Sequence, residues 1–247
     1  MTPHLFFVPP GSLDAATSGT VVDVTGAEGH HAVAVLRLRL GEEVFVADGR
    51  GVRVVAEVID IDRSRLTVRV SSIAREAPPA LRWVLVQALA KGDRDTSAVE
   101  TATEYGVDEI VPWQADRSIS VWRADKVERG RQRWEDVAIA AAKQSRRSSV
   151  PTVSPMVRTR DLVARVRGGQ TAYLLHEAAT EPLSRVALPS AGDVLLVVGP
   201  EGGIAPAELD ALVAAGATPV RLGTEVLRTS SAGPAALAVL NAMSRWC

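Results

Sequence analysis

The sequence predicts an α/β protein in two parts: a small β domain, barrel or sandwich, ahead of a mostly parallel sheet covered by helices. Three observations predict it. Short β-favouring runs separated by tight turns fill residues 1–75. Pro78-Pro79, which suits neither a helix interior nor a central strand, then interrupts all periodicity. From residue 81 apolar strand-like runs alternate with helical segments. The boundaries are therefore a β domain at 1–75, a linker at 76–80 and an α/β domain at 81–247.

In the first part, strands are expected at 5–8, 20–24, 43–47, 52–59 and 66–70, with one short helix near Glu28–Arg37. Pro9-Pro10-Gly11, Asp48-Gly49-Arg50-Gly51 and residues 60–64 supply the turns. In the second part, strands are expected at 83–88, 109–113, 172–175, 194–198 and 219–222. Between them lie helices at 96–105, with Ala98, Ala102 and Tyr105 on one face, at 125–147, at 206–214 and at 231–246, where Leu237, Leu240 and Met243 recur at near-helical spacing.

Composition narrows the class further. The 247 residues are 47% hydrophobic and 23% charged, which excludes a disordered chain, a coiled coil and a collagen-like fibre. No apolar run approaches the roughly 18 residues of a membrane span, and the N-terminus lacks the basic stretch and apolar core of a secretory signal. A cytoplasmic protein without a membrane partner is expected. The only cysteine is Cys247, so no intrachain disulfide forms and no Cys-rich zinc site exists. The four histidines make no His-Glu-x-x-His pair, and no metal is expected.

The net charge of −1 conceals a local bias: residues 117–167 carry 13 Lys/Arg against 5 Asp/Glu. A neutral chain with one basic stretch is a candidate for binding a polyanion at one place. If the helix from Trp134 runs to Arg147, then Trp134, Val137, Ala138 and Ala141 share one face and Lys143, Arg146 and Arg147 fall on the opposite one. That arrangement, with Arg117 nearby, favours phosphate binding over a merely solvated face. His30-His31, on the short helix of the β domain, is a candidate RNA contact.

Ligands of open α/β sheets bind beyond the carboxyl ends of the strands, and two loops there stand out. Val197-Val-Gly-Pro-Glu-Gly-Gly-Ile-Ala-Pro206 has three glycines that let a ligand approach the backbone, yet matches neither the dinucleotide fingerprint nor the P-loop. Arg221-Leu-Gly-Thr-Glu-Val-Leu-Arg-Thr-Ser-Ser-Ala-Gly-Pro234 closes on hydroxyl residues that open the last helix. Thr229 and Ser231 are natural N-caps and Pro234 suits a first turn. Plain capping would explain the serines but not Gly223 or Arg228.

The strings Lys91-Gly-Asp-Arg94, Glu100-Thr-Ala-Thr-Glu-Tyr-Gly-Val107, Arg117-Ser118, Ala141-Ala-Lys-Gln-Ser-Arg146, Leu175-His-Glu177, Val198-Gly-Pro-Glu-Gly-Gly203 and Leu222-Gly-Thr-Glu-Val-Leu-Arg-Thr229 occur in this order. With Gly29-His-His-Ala-Val-Ala-Val-Leu-Arg37, they make nearly the whole chain resemble the ribosomal small-subunit methyltransferase E family, 16S rRNA uracil-N3 methyltransferases of the SPOUT class. The resemblance implies a PUA-like, RNA-binding β-barrel and a SPOUT methyltransferase domain with a C-terminal trefoil knot. It implies a homodimer, 16S rRNA of the small subunit as partner, and S-adenosylmethionine as methyl donor.

Carried over by motif, the cofactor site comprises Leu175, Gly199, Glu201, Gly202, Leu222, Gly223, Leu227, Arg228 and Thr229. Those are the two loops singled out by chain geometry. Arg94 and Arg146 are the expected cations beside the uracil oxygens and Glu201 the expected proton acceptor. His30, His31, Arg37, Arg117, Lys143, Arg146 and Arg147 are the expected RNA contacts. Glu225 stands where the family commonly has Arg, and Ser230-Ser231 where it has Glu-Thr. The competing readings are another SPOUT reaction, on a ribose 2′-hydroxyl or on tRNA, and an RNA-binding assembly factor without catalysis.

Overall fold

The structure, a computed structural model, describes residues 3–246; Met1, Thr2 and Cys247, with the expectations about the N-terminus and the lone cysteine that fall on them, lie outside the described residues. The chain forms two compact units, Met1–Pro78 with Ala142–Val150, and Pro79–Ala141 with Pro151–Cys247.

The first unit is a five-stranded sheet of β1 (Leu5–Phe7), β2 (Val21–Val24), β3 (Glu43–Ala47), β4 (Val52–Asp62) and β5 (Arg65–Arg75), ordered β1-β3-β4-β5-β2. Only β1 and β3 pair in parallel. Its core follows the two-residue period of a half-buried strand: Val44 and Val46, then Val54, Ala56 and Val58, then Leu66, Val68 and Val70 all point inward. The predicted helix is two short pieces, α1 (Gly26–His30) and a π-helical turn at His31–Val35, ending at Arg37 with φ of 54°. A Cβ on Gly29 would lie 2.1 Å from the carbonyl oxygen of Ser64, in the turn between β4 and β5, and 2.6 Å from that of Val24 at the end of β2, so only glycine permits this helix to rest on that backbone.

The second unit is an all-parallel sheet of β6 (Leu81–Ala88), β7 (Glu109–Gln114), β8 (Thr152–Val153), β9 (Val157–Arg158), β10 (Thr171–Leu175), β11 (Gly192–Val198) and β12 (Thr218–Val220). The order is β12-β10-β11-β6-β7-β8, with β9 also on β7. The split between β8 and β9 skips Val111 and Pro112, and Pro112 has no N–H to donate there. The central strands are near-continuous apolar runs because helices cover both faces. The helices are α2 (Arg94–Glu104), α3 (Asp125–Gln144), α4 (Thr159–Arg167), α5 (Pro206–Ala214) and α6 (Thr229–Ala242).

On one face Val84, Val86, Leu174, Leu195 and Val197 pack with Leu162 and Val166 of α4 and Leu212 of α5. On the other, α6 rests on β6 so closely that a Cβ on Gly233 would sit 2.7 Å from Leu85 Cδ1. Asn241 fixes the far end of α6, accepting from Trp83 Nε1 at 2.8 Å and donating to the Tyr105 carbonyl at 2.6 Å.

Several elements differ from expectation. α4 and the two-residue strands β8 and β9 were not predicted. α3 ends at Gln144, three residues early, and Arg146 has φ of 58°, so Lys143, Arg146 and Arg147 do not share one helical face. α6 begins at Thr229 with Arg228 as N-cap and no side-chain capping bond, which places Pro234 inside the helix. Capping is therefore not what the hydroxyl groups of Thr229 and Ser231 do: Thr229 donates to Gly199 and Ser231 to the Arg228 carbonyl.

Candidate functional site

A cavity of about 670 Å³ opens where β10 and β11 end, at Leu175 and Val198. The second unit builds it entirely. Gly199, Glu201 and Gly202 line it from the loop after β11, Leu227 and Arg228 from the loop before α6, Thr229 from the first position of α6, Arg94 from the start of α2, and Arg117 from the segment after β7. Leu222 and Gly223 line an adjoining pocket of about 100 Å³ that shares Leu175, Leu227 and Ala232 with the larger one. All nine residues expected at the cofactor site thus border one of these two spaces.

Cross-links between distant segments hold the walls. Glu201 Oε1 accepts from Arg94 Nη1 at 2.7 Å and from the Lys91 backbone N–H at 3.0 Å, tying the loop after β6 to the Gly-rich loop. Arg117 Nη1 donates to the Gly202 carbonyl at 3.1 Å. Thr229 Oγ1 donates to the Gly199 carbonyl at 2.8 Å and accepts from Gln87 Nε2 at 2.9 Å. Below the loop, Glu208 reaches back to the Ala205 N–H at 3.3 Å and accepts from the Asp116 N–H at 3.1 Å and from the Thr159 hydroxyl, fixing the start of α5.

The electrostatics bear on the expected roles. Partial burial raises the pKa of Glu201, but hydrogen bonds from its own backbone, from Arg94 and from the Lys91 N–H, together with the Arg94 charge, outweigh it and hold the carboxyl below its ordinary value. A carboxylate so stabilised as an anion is a poor proton acceptor. The same bonds let Glu201 orient the Arg94 guanidinium, a role that stands beside the proton acceptance expected of it.

The remaining predicted residues are in the first unit. His30 and Arg37 are exposed and His31 is half-buried. Lys143 is not presented to solvent as expected: its Nζ lies 2.7 Å from Glu28 Oε2 and 5.3 Å from the Phe6 ring centre. Arg146 is exposed, Arg147 half-buried, and the Arg146 carbonyl accepts from Arg53 Nη1 at 3.2 Å. Arg146 therefore belongs to the first unit, whereas Arg94 belongs to the second.

Sequence reasoning missed Gln87, His176, Glu177 and Val226. The last three line the cavities; His176 and Glu177 stood in a recognised string, and only their contact with the cavity was unreadable.

The cavity is large enough for a small organic ligand with polar groups. Its volume is within the usual range of small-molecule sites, and its rim combines glycine backbone with Arg94, Arg117 and Arg228. A Cβ on Gly202 would find only ordinary contacts, at 3.4 Å from Arg117 Cβ, so packing at this one position does not require glycine. Among the described residues, no group of three or more His, Cys, Asp and Glu side chains could hold a metal ion.

Residues 77–241 match the RNA methyltransferase domain family and residues 24–71 the RNA methyltransferase PUA domain. Over 236 residues the chain is 44% identical to the ribosomal RNA small subunit methyltransferase E of Mycobacterium bovis, covering 93% of this chain and 89% of that protein. The Bacillus subtilis protein of the same name is 28% identical over 228 residues, 88% of each chain. A crystal structure of the Neisseria gonorrhoeae protein of that name, bound to S-adenosyl methionine, superposes with a TM-score of 0.86 at 26% identity over 98% of both chains. A putative methyltransferase of Legionella pneumophila in complex with the same cofactor gives 0.84 at 25% identity over 98% of both chains. With its parallel α/β domain matching the RNA methyltransferase domain family behind a match to the PUA domain, the chain belongs to the ribosomal RNA small subunit methyltransferase E family.

Proposed function

We propose that the protein transfers a methyl group from S-adenosylmethionine to N3 of a uridine in 16S rRNA of the small ribosomal subunit. The observation that carries this reading is the convergence of both Gly-rich loops and the Arg94–Glu201 pair on one cavity, in a chain similar throughout to a methyltransferase bound to that cofactor.

S-adenosylmethionine supplies an electrophilic methyl group on a sulfonium. The chain's own residues supply placement and charge, and placement is the larger help in a two-body transfer. Gly199, Gly202 and Gly223 offer backbone without side chains at the rim. Leu175 and Leu227 give apolar wall, and Arg228 a cation beside the first turn of α6. N3 of uracil becomes a nucleophile on losing its proton to solvent, which spreads negative charge over O2 and O4; the N–CH3 bond then forms as the S–CH3 bond breaks and S-adenosylhomocysteine leaves. Arg94 is suited to that charge: Glu201 occupies one of the five N–H donors of its guanidinium and leaves the others for substrate. Arg117, exposed at the rim, and His30, Arg37 and Arg146, exposed on the first unit, suit phosphate and base contacts. His31, Lys143 and Arg147 are less accessible.

The same reading has a trefoil knot in the C-terminal segment, two copies of the chain completing the active site, a PUA-like barrel at 1–75 binding RNA, and a cytoplasmic enzyme working beside the ribosome. Among the described residues no helix is long and apolar enough to cross a membrane.

The test is methyl transfer from labelled S-adenosylmethionine to small subunits lacking the modification, beside free rRNA and tRNA, with nucleosides identified by mass spectrometry. 3-Methyluridine in the subunits is expected. A 2′-O-methylated nucleoside, or label confined to tRNA, overturns the N3 assignment. Failure to bind the cofactor overturns the reading as a whole.

A further inference from the structure

We infer that Gln87 is a positioning residue for the cofactor cavity, acting through Thr229. Gln87 is fully buried on β6 and does not touch the cavity. Its Nε2 donates to Thr229 Oγ1 at 2.9 Å and to the Ala88 carbonyl at 3.2 Å. Thr229 Oγ1 in turn donates to the Gly199 carbonyl at 2.8 Å.

Donor chemistry fixes the direction of this chain. An amide nitrogen can only donate, so the Thr229 oxygen must accept from it, and the single hydroxyl proton is left for Gly199. One buried side chain thereby sets three walls at once. It holds the end of β6, just before the loop that carries Lys91 and Arg94. It holds the first residue of α6, and through that hydroxyl the first residue of the Gly-rich loop.

A second observation separates this from ordinary packing. Gln87 Oε1 is buried without a hydrogen-bond partner. A buried acceptor left unsatisfied is destabilising, and an apolar residue of similar volume would avoid it. The two bonds that Nε2 donates offset that cost, and what they do beyond filling space is to orient the Thr229 hydroxyl. The carboxamide is accounted for by the direction it imposes on Thr229.

This inference rests on the assignment of the cavity to S-adenosylmethionine, and the experiment separates the two. Binding of S-adenosylhomocysteine to the full chain is measured by calorimetry for wild type, Gln87→Met, Gln87→Glu, Thr229→Val and the Gln87→Met/Thr229→Val double variant, with Tm recorded for each. Wild-type binding tests the cavity assignment, and its absence refutes that reading independently of Gln87. Gln87→Met is expected to change Tm little, because it removes the unsatisfied acceptor together with the two bonds that Nε2 donates, while weakening the ligand about fivefold, the scale of one buried hydrogen bond. Gln87→Glu is expected to weaken it more, because a carboxylate draws the hydroxyl proton away from Gly199. The double variant is expected to match Thr229→Val alone, since the two residues act as one chain. Affinity in Gln87→Met equal to wild type, affinity losses that simply multiply in the double variant, or a loss that only parallels a fall in Tm would each overturn the role.

Discussion

Arg94 and Glu201, 107 residues apart in sequence, meet at 2.7 Å across the mouth of the cavity. The pair joins the start of α2 to the loop after β11. The Arg94 side chain is 46% exposed, so the bond adds little to stability, and its weight lies in where it holds the guanidinium.

Glu201→Gln is accordingly expected to leave Tm within about 2 °C of wild type, as for a surface pair. It should lower kcat about tenfold, a transition-state loss of roughly 1.4 kcal/mol, while the Kd of S-adenosylhomocysteine changes less than about threefold. Removing a general base costs about 10²–10⁴-fold. A loss of that size, persisting in an Arg94→Met background, would restore Glu201 as the proton acceptor.

Gly199 and Gly202 separate strain from access. A Cβ on Gly199 would lie 2.8 Å from Ile204 Cγ1, so Gly199→Ala should destabilise the second unit by about 1–2 kcal/mol through overpacking. Gly202 has only ordinary contacts at 3.4 Å or more. Gly202→Val should therefore fold normally and lose cofactor affinity more than about tenfold, since its side chain occupies rim space. Urea melts and calorimetry on both variants check the contrast; unchanged affinity in Gly202→Val removes the Gly-rich loop from the site.

The loops at the cavity were legible because glycine and hydroxyl clusters beyond apolar strands leave a local signature. Gln87 left none: within β6 it interrupts an apolar run, and its partner Thr229 is 142 residues away. α4 escaped notice because only Leu162 and Val166 are buried in its nine residues, too few to mark a helical period among three arginines. The basic stretch misled for a related reason. Several of its cations are paired, among them Arg129 with Asp125, Arg131 with Glu128 and Glu135, Arg133 with Asp93 and Arg165 with Glu109. A charge count along the chain sees the acids inside the stretch but not Asp93 or Glu109, which the fold brings to it.

Asp95, buried beside Arg94 at the first turn of α2, makes stability depend on pH. Burial raises its carboxyl pKa above the ordinary 3.8, more than the Thr96 and Ala90 backbone bonds and the Arg133 charge lower it. A raised carboxyl pKa means the folded state favours the proton. The benefit is complete below the unfolded pKa and is lost as pH rises through the folded value. Asp95→Asn, which cannot ionise, should gain on wild type as pH climbs from about 4 towards 7 and then hold a constant difference. Urea midpoints at several pH values test this; a difference independent of pH would show that Asp95 takes up its proton equally in the folded and unfolded states, and that burial does not raise its pKa.

Lys143 and Arg146 sit three residues apart and should report different properties. The Lys143 and Glu28 side chains are each 25% exposed and 2.7 Å apart, between the surface and buried limits for ion pairs. Lys143→Ala should therefore destabilise the first unit by about 1–2 kcal/mol and leave the salt dependence of RNA binding unchanged, because this cation is already neutralised. Arg146 is exposed beyond the end of α3, and Arg146→Ala should leave Tm unaltered while reducing the slope of log K against log salt by about 0.7–0.9, one phosphate contact. Filter binding of an rRNA fragment between 50 and 200 mM salt, on the scale where such contacts are resolved, distinguishes the two. An equal fall in slope for Lys143→Ala would mean that RNA displaces Glu28 and recruits the lysine, since a cation still bound to its carboxylate releases no counterion.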